Sequence, residues 1–338
     1  MYNYLVITAS YWGFTLTDGA LRTLVLFHFF KLGYSPFTLA FLFLLYEAAG
    51  IIANLAGGWL ASRFGIRRML VLGIGLQIGG LLFLSLLNPA WGATVSVIWA
   101  VAAQGVAGVA KDITKTASKS AIKITSVDGN NQLFRWVAWF TGSKNATQGI
   151  GFFVGGLLLT TVGFKPALWL LVALLVVILV ACFMALPAGL GVSNASKSVK
   201  ELFSKSAGVN ILAGARVFMF GARDVWFVVG LPVFLYSAGW DFWAVGGFLA
   251  AWTIAYGAVQ ALAPALVSRS PDGLRRELPA ACLWIVVLTF VPAVLLLLLE
   301  LGEAVPLERE TIVIISLLVF GLPFAVNSSL HSYLILAY

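Results

Sequence analysis

Apolar residues run through the chain in long blocks separated by short polar stretches, without the period-two alternation of barrel strands. A helix needs about 20 predominantly apolar residues to cross the hydrocarbon core of a bilayer. On that criterion the pattern predicts ten spans, near residues 3–30, 37–60, 69–88, 93–111, 132–160, 166–187, 208–237, 243–267, 278–299 and 311–336. Residues 111–131, between the fourth and fifth, are amphipathic and are expected to lie as a helix along the membrane surface. The expected class is an all-α polytopic membrane protein.

Composition agrees. Hydrophobic residues make up 61% of the chain and charged residues 10%, with a mean hydropathy of +0.99. A soluble domain carries about a quarter charged residues. The first apolar run is too long for a secretory signal and lacks a basic leader and a cleavage pattern. The formal charge of +8 does not imply nucleic acid, because the basic residues are placed by topology. Thirteen Lys and Arg residues fall after the second, fourth, sixth and eighth spans, against Lys31, Lys165 and Arg309 after the odd-numbered ones. Positive charge stays on the cytoplasmic side, so the N-terminus is expected in the cytoplasm and the chain in the cell (inner) membrane, as a monomer.

The two halves resemble each other. A shift of 206 positions places Phe14 on Phe220, Asp18 on Asp224, Gly33 on Gly239 and Ser62-Arg63 on Ser268-Arg269. Three segments follow: a six-helix bundle at residues 1–188, a Ser- and Lys-rich cytoplasmic linker at 189–207, and a second bundle at 208–338 with four helices. Two six-span halves in parallel repeat, with the substrate site between them, are the plan of the major facilitator fold. By that plan the second half lacks its last two helices, roughly 60 to 80 residues with their loops. A truncated sequence is the simplest expectation, and a natural ten-span variant is the alternative.

Charges inside spans are the sharpest functional signal. A charge at the bilayer centre costs at least about 2.5–3.5 kcal/mol on insertion scales, so such residues face the bundle interior and mark substrate or ion pathways. They are Asp18 and Arg22 in span one, Glu47 in span two, Lys144 in span five, and Arg216, Arg223 and Asp224 in span seven. Asp18 and Arg22 are four residues apart and pair on one helix face; Arg216 and Arg223 are seven apart, two turns along one face. Cations exceed acids, and guanidinium forks match phosphate-like oxyanions. Arg22, Lys144, Arg216 and Arg223, with Asn145, are therefore the expected substrate ligands. Asp18, Glu47 and Asp224 are candidates for proton or charge coupling. The competing reading is a set of purely structural ion pairs. His331, with Asn327, Ser328 and Ser329, adds polar groups to span ten, either to bond a neighbouring helix or to titrate.

Other chemistry is missing. Cys182 and Cys282 lie in apolar runs, so neither a disulfide framework nor a thiol metal site follows, and no cofactor is implied. No Gly-x-Ser-x-Gly elbow, P-loop or His-Glu-x-x-His occurs, so an enzyme is not expected.

Two motifs admit double readings. The loop Gly58-Trp59-Leu60-Ala61-Ser62-Arg63-Phe64-Gly65-Ile66-Arg67-Arg68 resembles the major facilitator loop Gly-x-x-x-Asp-Arg-x-Gly-Arg-Arg, with Ser62 in place of Asp and Ile66 in place of Arg. It is either a gating latch that pairs Arg63, Arg67 and Arg68 with the opposite half or an ordinary positive loop. Gly142, Gly151, Gly155 and Gly156 resemble the start of the superfamily's antiporter motif without its Pro. Gly75/Gly79 and Gly151/Gly155 also suit close helix packing.

The stretches Phe14–Arg22, Lys111–Lys123, Thr141–Gly156, Phe220–Phe234 and Pro323–Tyr338 resemble organoarsenical efflux permeases of the ArsJ type. That resemblance implies a major facilitator exporter of 1-arseno-3-phosphoglycerate and a functional link to glyceraldehyde-3-phosphate dehydrogenase, which makes the ester from arsenate. Such export confers arsenate resistance. It names no substrate contacts. A cationic interior suits the anion, and two cysteines offer no route for thiol-seeking arsenite. The alternatives are a permease of the same fold for another organic anion, such as a sugar phosphate, and a membrane sensor or assembly subunit that transports nothing.

Overall fold

The computed structural model describes residues 2–125, 130–191, 207–266, 277–300 and 308–337. Among them the chain is helical, with no strand. The elements are α1 (Tyr2–Lys31), α2 (Pro36–Phe64), α3 (Ile66–Ser85), α4 (Ala93–Thr125), α5 (Asn130–Thr161), α6 (Phe164–Ala185), α7 (Ala207–Asp224), a π-helical stretch (Val225–Gly230), α8 (Leu231–Ser237), α9 (Phe242–Leu266), α10 (Glu277–Glu300) and α11 (Arg309–Ala337). Nine predicted spans each fall on one helix, and the seventh, 208–237, is divided into α7, the π stretch and α8. Among the described residues six helices, from α3, α4, α6, α9, α10 and α11, are long and apolar enough to cross a membrane on length and composition. The others include α1, whose face buries Thr8, Ser10, Thr15, Thr17 and Asp18 inside the bundle. Most of the linker, the basic loop at 267–276 and residues 301–307 lie outside the described residues.

The 206-residue repeat reappears in backbone hydrogen bonds. At the end of α1, Gly33 N–H donates to Phe30 O and Tyr34 N–H to Phe29 O; at the end of α8, Gly239 donates to Tyr236 and Trp240 to Leu235. Gly33 and Gly239 have φ of 84° and 96°, a left-handed turn that glycine adopts without a Cβ clash. The next helices start alike. Ser35 Oγ caps Thr38 N–H at 3.2 Å, and Asp241 Oδ1 caps Ala244 N–H at 2.7 Å. Every pair is 206 residues apart.

Packing brings α1 against α4, α5 and α6, α2 against α4, and α3 against α4 and α6. Helix α11 packs on α9 and α10, and α5 joins the two sets by lying along α9. The α5–α9 approach is close because both helices present glycine there. A Cβ on Gly142 would collide with Gly257 O, and a Cβ on Gly257 with Gly142 O. Gly151 and Gly155 likewise face the α1 backbone at Leu16 and Ala20, as the packing reading expects. Gly75 and Gly79 do not: nothing lies within 4 Å of a Cβ built on either.

Residues 111–125 correct the expected surface helix. They continue α4 without a break, and Asp112, Thr114, Ala117, Ser118 and Ala121 are buried. Asp112 and Thr114 lie where Gly50 of α2 and Gly73 of α3 leave room for them. The polar stripe that reads as a membrane-surface face is an interior face, so Lys111, Lys115 and Lys119 drop out of the positive-inside tally.

Gly142→Leu or Gly257→Leu should destabilise the purified protein by about 1–3 kcal/mol or more, the cost of overpacking a close contact. Gly75→Leu should leave thermal unfolding in detergent almost unchanged. Equal loss in all three would refute the α5–α9 contact.

Candidate functional site

Buried Asp18 and Asp112 and part-buried Arg22, Glu47, Lys111 and Lys115 form a network that ties three helices together. Arg22 of α1 donates from Nη2 to Glu47 Oε1 of α2 at 2.8 Å, and Lys111 of α4 donates to Glu47 Oε2 at 3.0 Å. Lys111 and Lys115 also face Asp112, at 3.8 and 2.7 Å. Tyr46 lies at the centre. Its hydroxyl donates to Asp18 Oδ1 and accepts from Arg22 Nε at 3.3 Å, while Arg22 and Lys111 sit 4.4 and 4.2 Å from its ring centroid. The expected Asp18–Arg22 pair is present at 3.9 Å, but the main partners are Glu47 for Arg22 and Tyr46 for Asp18.

Arg22 also reaches a cavity with about 580 Å³ of empty space, open solvent included. Its walls come from Arg22, Thr23 and Leu26 of α1; Asn145, Gln148 and Phe152 of α5; Arg223 and Phe227 around the start of the π stretch; Pro232 of α8; and Leu249, Trp252, Thr253 and Tyr256 of α9. Pro232 has no N–H to offer the Val228 carbonyl, which accounts for a winding defect here. Thr23 and Thr253 return their hydroxyls to Gly19 O and Leu249 O in their own helices. One wall is aromatic, with Phe227 tilted 4.5 Å from Trp252 and Trp252 stacked 5.4 Å from Tyr256. The polar side chains lining it include the guanidinium groups of Arg22 and Arg223 and the amides of Asn145 and Gln148, set against aromatic faces. Guanidinium groups beside aromatic rings are chemically suited to a small organic anion.

A second polar chain leads away from the cavity. Lys144 donates to Gln148 Oε1 at 2.7 Å and Asn145 Oδ1 at 3.2 Å, and Asn145 Nδ2 donates to Gln260 Oε1 of α9. Gln260 Nε2 then reaches Tyr256 Oη and Ser328 Oγ of α11, both at 2.7 Å. Arg216 of α7 donates to Ser332 Oγ of α11 at 3.2 Å and lies outside the cavity walls.

These features are set in a known framework. The family model described as Major Facilitator Superfamily matches residues 4–337. The chain belongs to the Major Facilitator Superfamily. A search of curated protein sequences gave no match. Among solved structures, the chain is similar to the human organic anion transporter MFSD10 (TETRAN), at 14% identity and a TM-score of 0.66, covering 98% of this chain and 85% of that one. It is also similar to a structure described under substrate recognition in proton dependent oligopeptide transporters, at 15% identity and a TM-score of 0.67, covering 99% and 88%. At such identities the likeness concerns the fold, which is that of a multi-pass membrane transporter.

Within that framework three of the five expected ligands, Arg22, Arg223 and Asn145, line one cavity, and Lys144 bonds two amides of its wall. Glu47 and Asp18 stand behind Arg22; the side chain of Asp224 is not among those described. In the loop after α2, Arg67 donates to Phe183 O at 2.6 Å, in the last turn of α6, and lies 4.5 Å from that ring. Arg63 stacks on Trp59 and Phe64, Arg68 is exposed, and Gly65, with φ of 84°, turns the chain from α2 into α3. The described contact of Arg67 is thus within the first half. Gly58 precedes this turn in α2.

Sequence reasoning passed over Tyr46, Asp112, Lys115, Gln148, Gln260 and the aromatic wall. Tyr46 adjoins Glu47 and Gln148 lies one turn from Lys144, so helical spacing offered a signal for both. The aromatic wall had none, since aromatics occur all along the chain.

Tyr46→Phe should lower stability by about 1–3 kcal/mol, because buried Asp18 Oδ1 loses its donor. Adding Asp18→Asn should recover part of that loss. Thermal unfolding of the single and double variants checks the coupling, and strict additivity would rule it out.

Proposed function

We propose that the chain is an exporter of a phosphorylated organic anion, working by alternating access between residues 1–188 and 208–338, with 189–207 as the cytoplasmic linker. The observation that carries this reading is that Arg22 of α1 and Arg223 at the end of α7 line one cavity together with Asn145 and Gln148. These residues come from the two repeat-related helices and from α5, the helix that lies along α9. Guanidinium groups carried by two different helices can hold an oxyanion together while each helix remains able to move. The organic anion named for one structural neighbour is of the same chemical kind.

The specific substrate proposed is 1-arseno-3-phosphoglycerate, supplied by cytosolic glyceraldehyde-3-phosphate dehydrogenase acting with arsenate. Support comes from the resemblance of five sequence blocks to organoarsenical permeases and from a cavity that offers cations and no thiol. In this reading the ten helical stretches all span the inner membrane, the N-terminus is cytoplasmic, and the loop at Gly58, Arg63, Gly65, Arg67 and Arg68 acts at the cytoplasmic gate.

Glu47 is the proposed coupling residue. It holds Arg22 and Lys111 at the same time, at 2.8 and 3.0 Å. Protonating it would weaken both bonds and free Arg22 for the substrate, so proton and substrate occupancy become linked.

Everted membrane vesicles given glyceraldehyde 3-phosphate, arsenate and the dehydrogenase should accumulate arsenic. Arg22→Gln and Arg223→Gln should each cut the rate at least tenfold, about 1.4 kcal/mol of lost interaction. No uptake above the level without dehydrogenase would reject the organoarsenical substrate. Uptake in the wild type that ignores an imposed pH gradient would reject proton coupling, and Glu47→Gln should abolish the dependence.

A further inference from the structure

Many of the neutral polar groups around the cavity are already committed to other protein groups. Lys144 donates to Asn145 Oδ1 and Gln148 Oε1, and Asn145 Nδ2 donates to Gln260. The Thr23 and Thr253 hydroxyls return to carbonyls of their own helices. Among the described lining residues there is no carboxylate. A ligand hydroxyl that leaves water here finds few partners, and a buried hydroxyl without one is costly. The charged side chains of the wall, Arg22 and Arg223, suit an oxyanion instead.

The aromatic wall offers the cavity carbon. Trp252 directs its indole N–H to Leu317 O of α11 at 3.1 Å. Tyr256 Oη accepts from Gln260 Nε2 at 2.7 Å and donates to Ser328 Oγ of α11 at 3.1 Å. With both polar handles bonded to protein, what these two side chains bring to the cavity is ring. The wall is also held in place: a Cβ on Gly321 of α11 would lie 3.3 Å from the indole, so this glycine lets Trp252 seat against α11. Phe227 completes the wall, 4.5 Å from Trp252 and 6.0 Å from Phe152 between ring centroids. Charge and rings meet at Phe324, whose centroid lies 5.5 Å from the Arg223 guanidinium and 5.6 Å from the Tyr256 ring.

We propose that the cavity binds aromatic oxyanions, in which one phosphate-like group is carried on a planar ring, as a ligand class beyond the phosphorylated glycerate. This rests on the reading that Arg22 and Arg223 hold an anion. What it adds is that Phe227, Trp252 and Tyr256 select the body to which the anion is attached. The oxyanion accepts from the guanidinium forks. The ring packs among the three aromatic side chains, where offset-stacked and edge-to-face arrangements are favourable. A saturated ring of similar bulk gains the burial without that geometry, and a methyl group gains neither.

Phenylphosphonate, cyclohexylphosphonate and methylphosphonate, titrated calorimetrically into the full chain in lipid nanodiscs, test this. Phenylphosphonate should bind at least tenfold more tightly than methylphosphonate and about threefold more tightly than cyclohexylphosphonate. Phe227→Leu, which keeps an apolar side chain, and Trp252→Leu should each lower the phenyl-to-methyl affinity ratio at least threefold. Trp252→Phe, which keeps a ring, should retain most of that ratio. Arg223→Gln should weaken all three ligands. Equal wild-type affinities for phenyl and methyl, a cyclohexyl ligand as tight as phenyl, or a ratio unchanged in both leucine variants would overturn aromatic selection. Binding of all three that ignores Arg223→Gln would instead overturn the primary anion site, and failure of all three to bind would overturn both.

Discussion

Charge inside an apolar bundle must be answered by other charge, and here the answer comes from different helices. Arg22, Lys111 and Lys115 are matched against Asp18, Glu47 and Asp112, with Tyr46 in the middle, so α1, α2 and α4 are held in one register. Removing Arg22 would leave buried Asp18 without its cation and part-exposed Glu47 with Lys111 as its described partner. The network stops short of three further cations. Lys144 is held by amide oxygens, Arg216 by a serine hydroxyl and a ring, and Lys119 has no carboxylate within ion-pair distance among the described residues. The first group joins α1, α2 and α4 through ion pairs, whereas the contacts described for Lys144 and Arg216 are with neutral groups.

The backbone brings the helices around the cavity close together. The α5–α9 contact relies on Gly142 and Gly257, which let the helices meet almost backbone to backbone. Among the described residues, Asn145 of α5 also donates to Gln260 of α9 across this contact. The π stretch at Val225–Gly230, between Arg223 and Pro232, is the irregular part of the cavity wall. Irregular backbone at membrane depth is tolerated where it borders a cavity.

The helices were legible because their signal is local. Ten apolar runs coincide with helical stretches, and the 206-residue offset, first seen in a few identities, is matched by the same capping hydrogen bonds at Gly33 and Gly239. The site was legible in part. Arg22, Asn145 and Arg223 stood out as polar residues in apolar runs, and all three line the cavity. What misled was the segment 111–125: an amphipathic pattern shows that one face is polar, and that face meets water on a membrane surface or other polar groups in an interior with equal ease. Buried Asp112 and Thr114 decided for the interior.

By itself, then, the sequence determined the helical class, the order of the helical stretches and which charges had to be sheltered. These follow from hydropathy and from hydrogen bonds between residues no more than a few positions apart. Which charges satisfy one another only the tertiary structure decided. Arg22 has an acid four residues before it, yet its short bond runs to Glu47, 25 positions away on another helix. Asp18 takes its hydrogen bond from Tyr46, and among the described residues Asn327 has none. The physical reason is reach. At buried distances of 3 to 4 Å, pairing depends on how the helices are rotated against each other, and that rotation is set by packing the whole bundle.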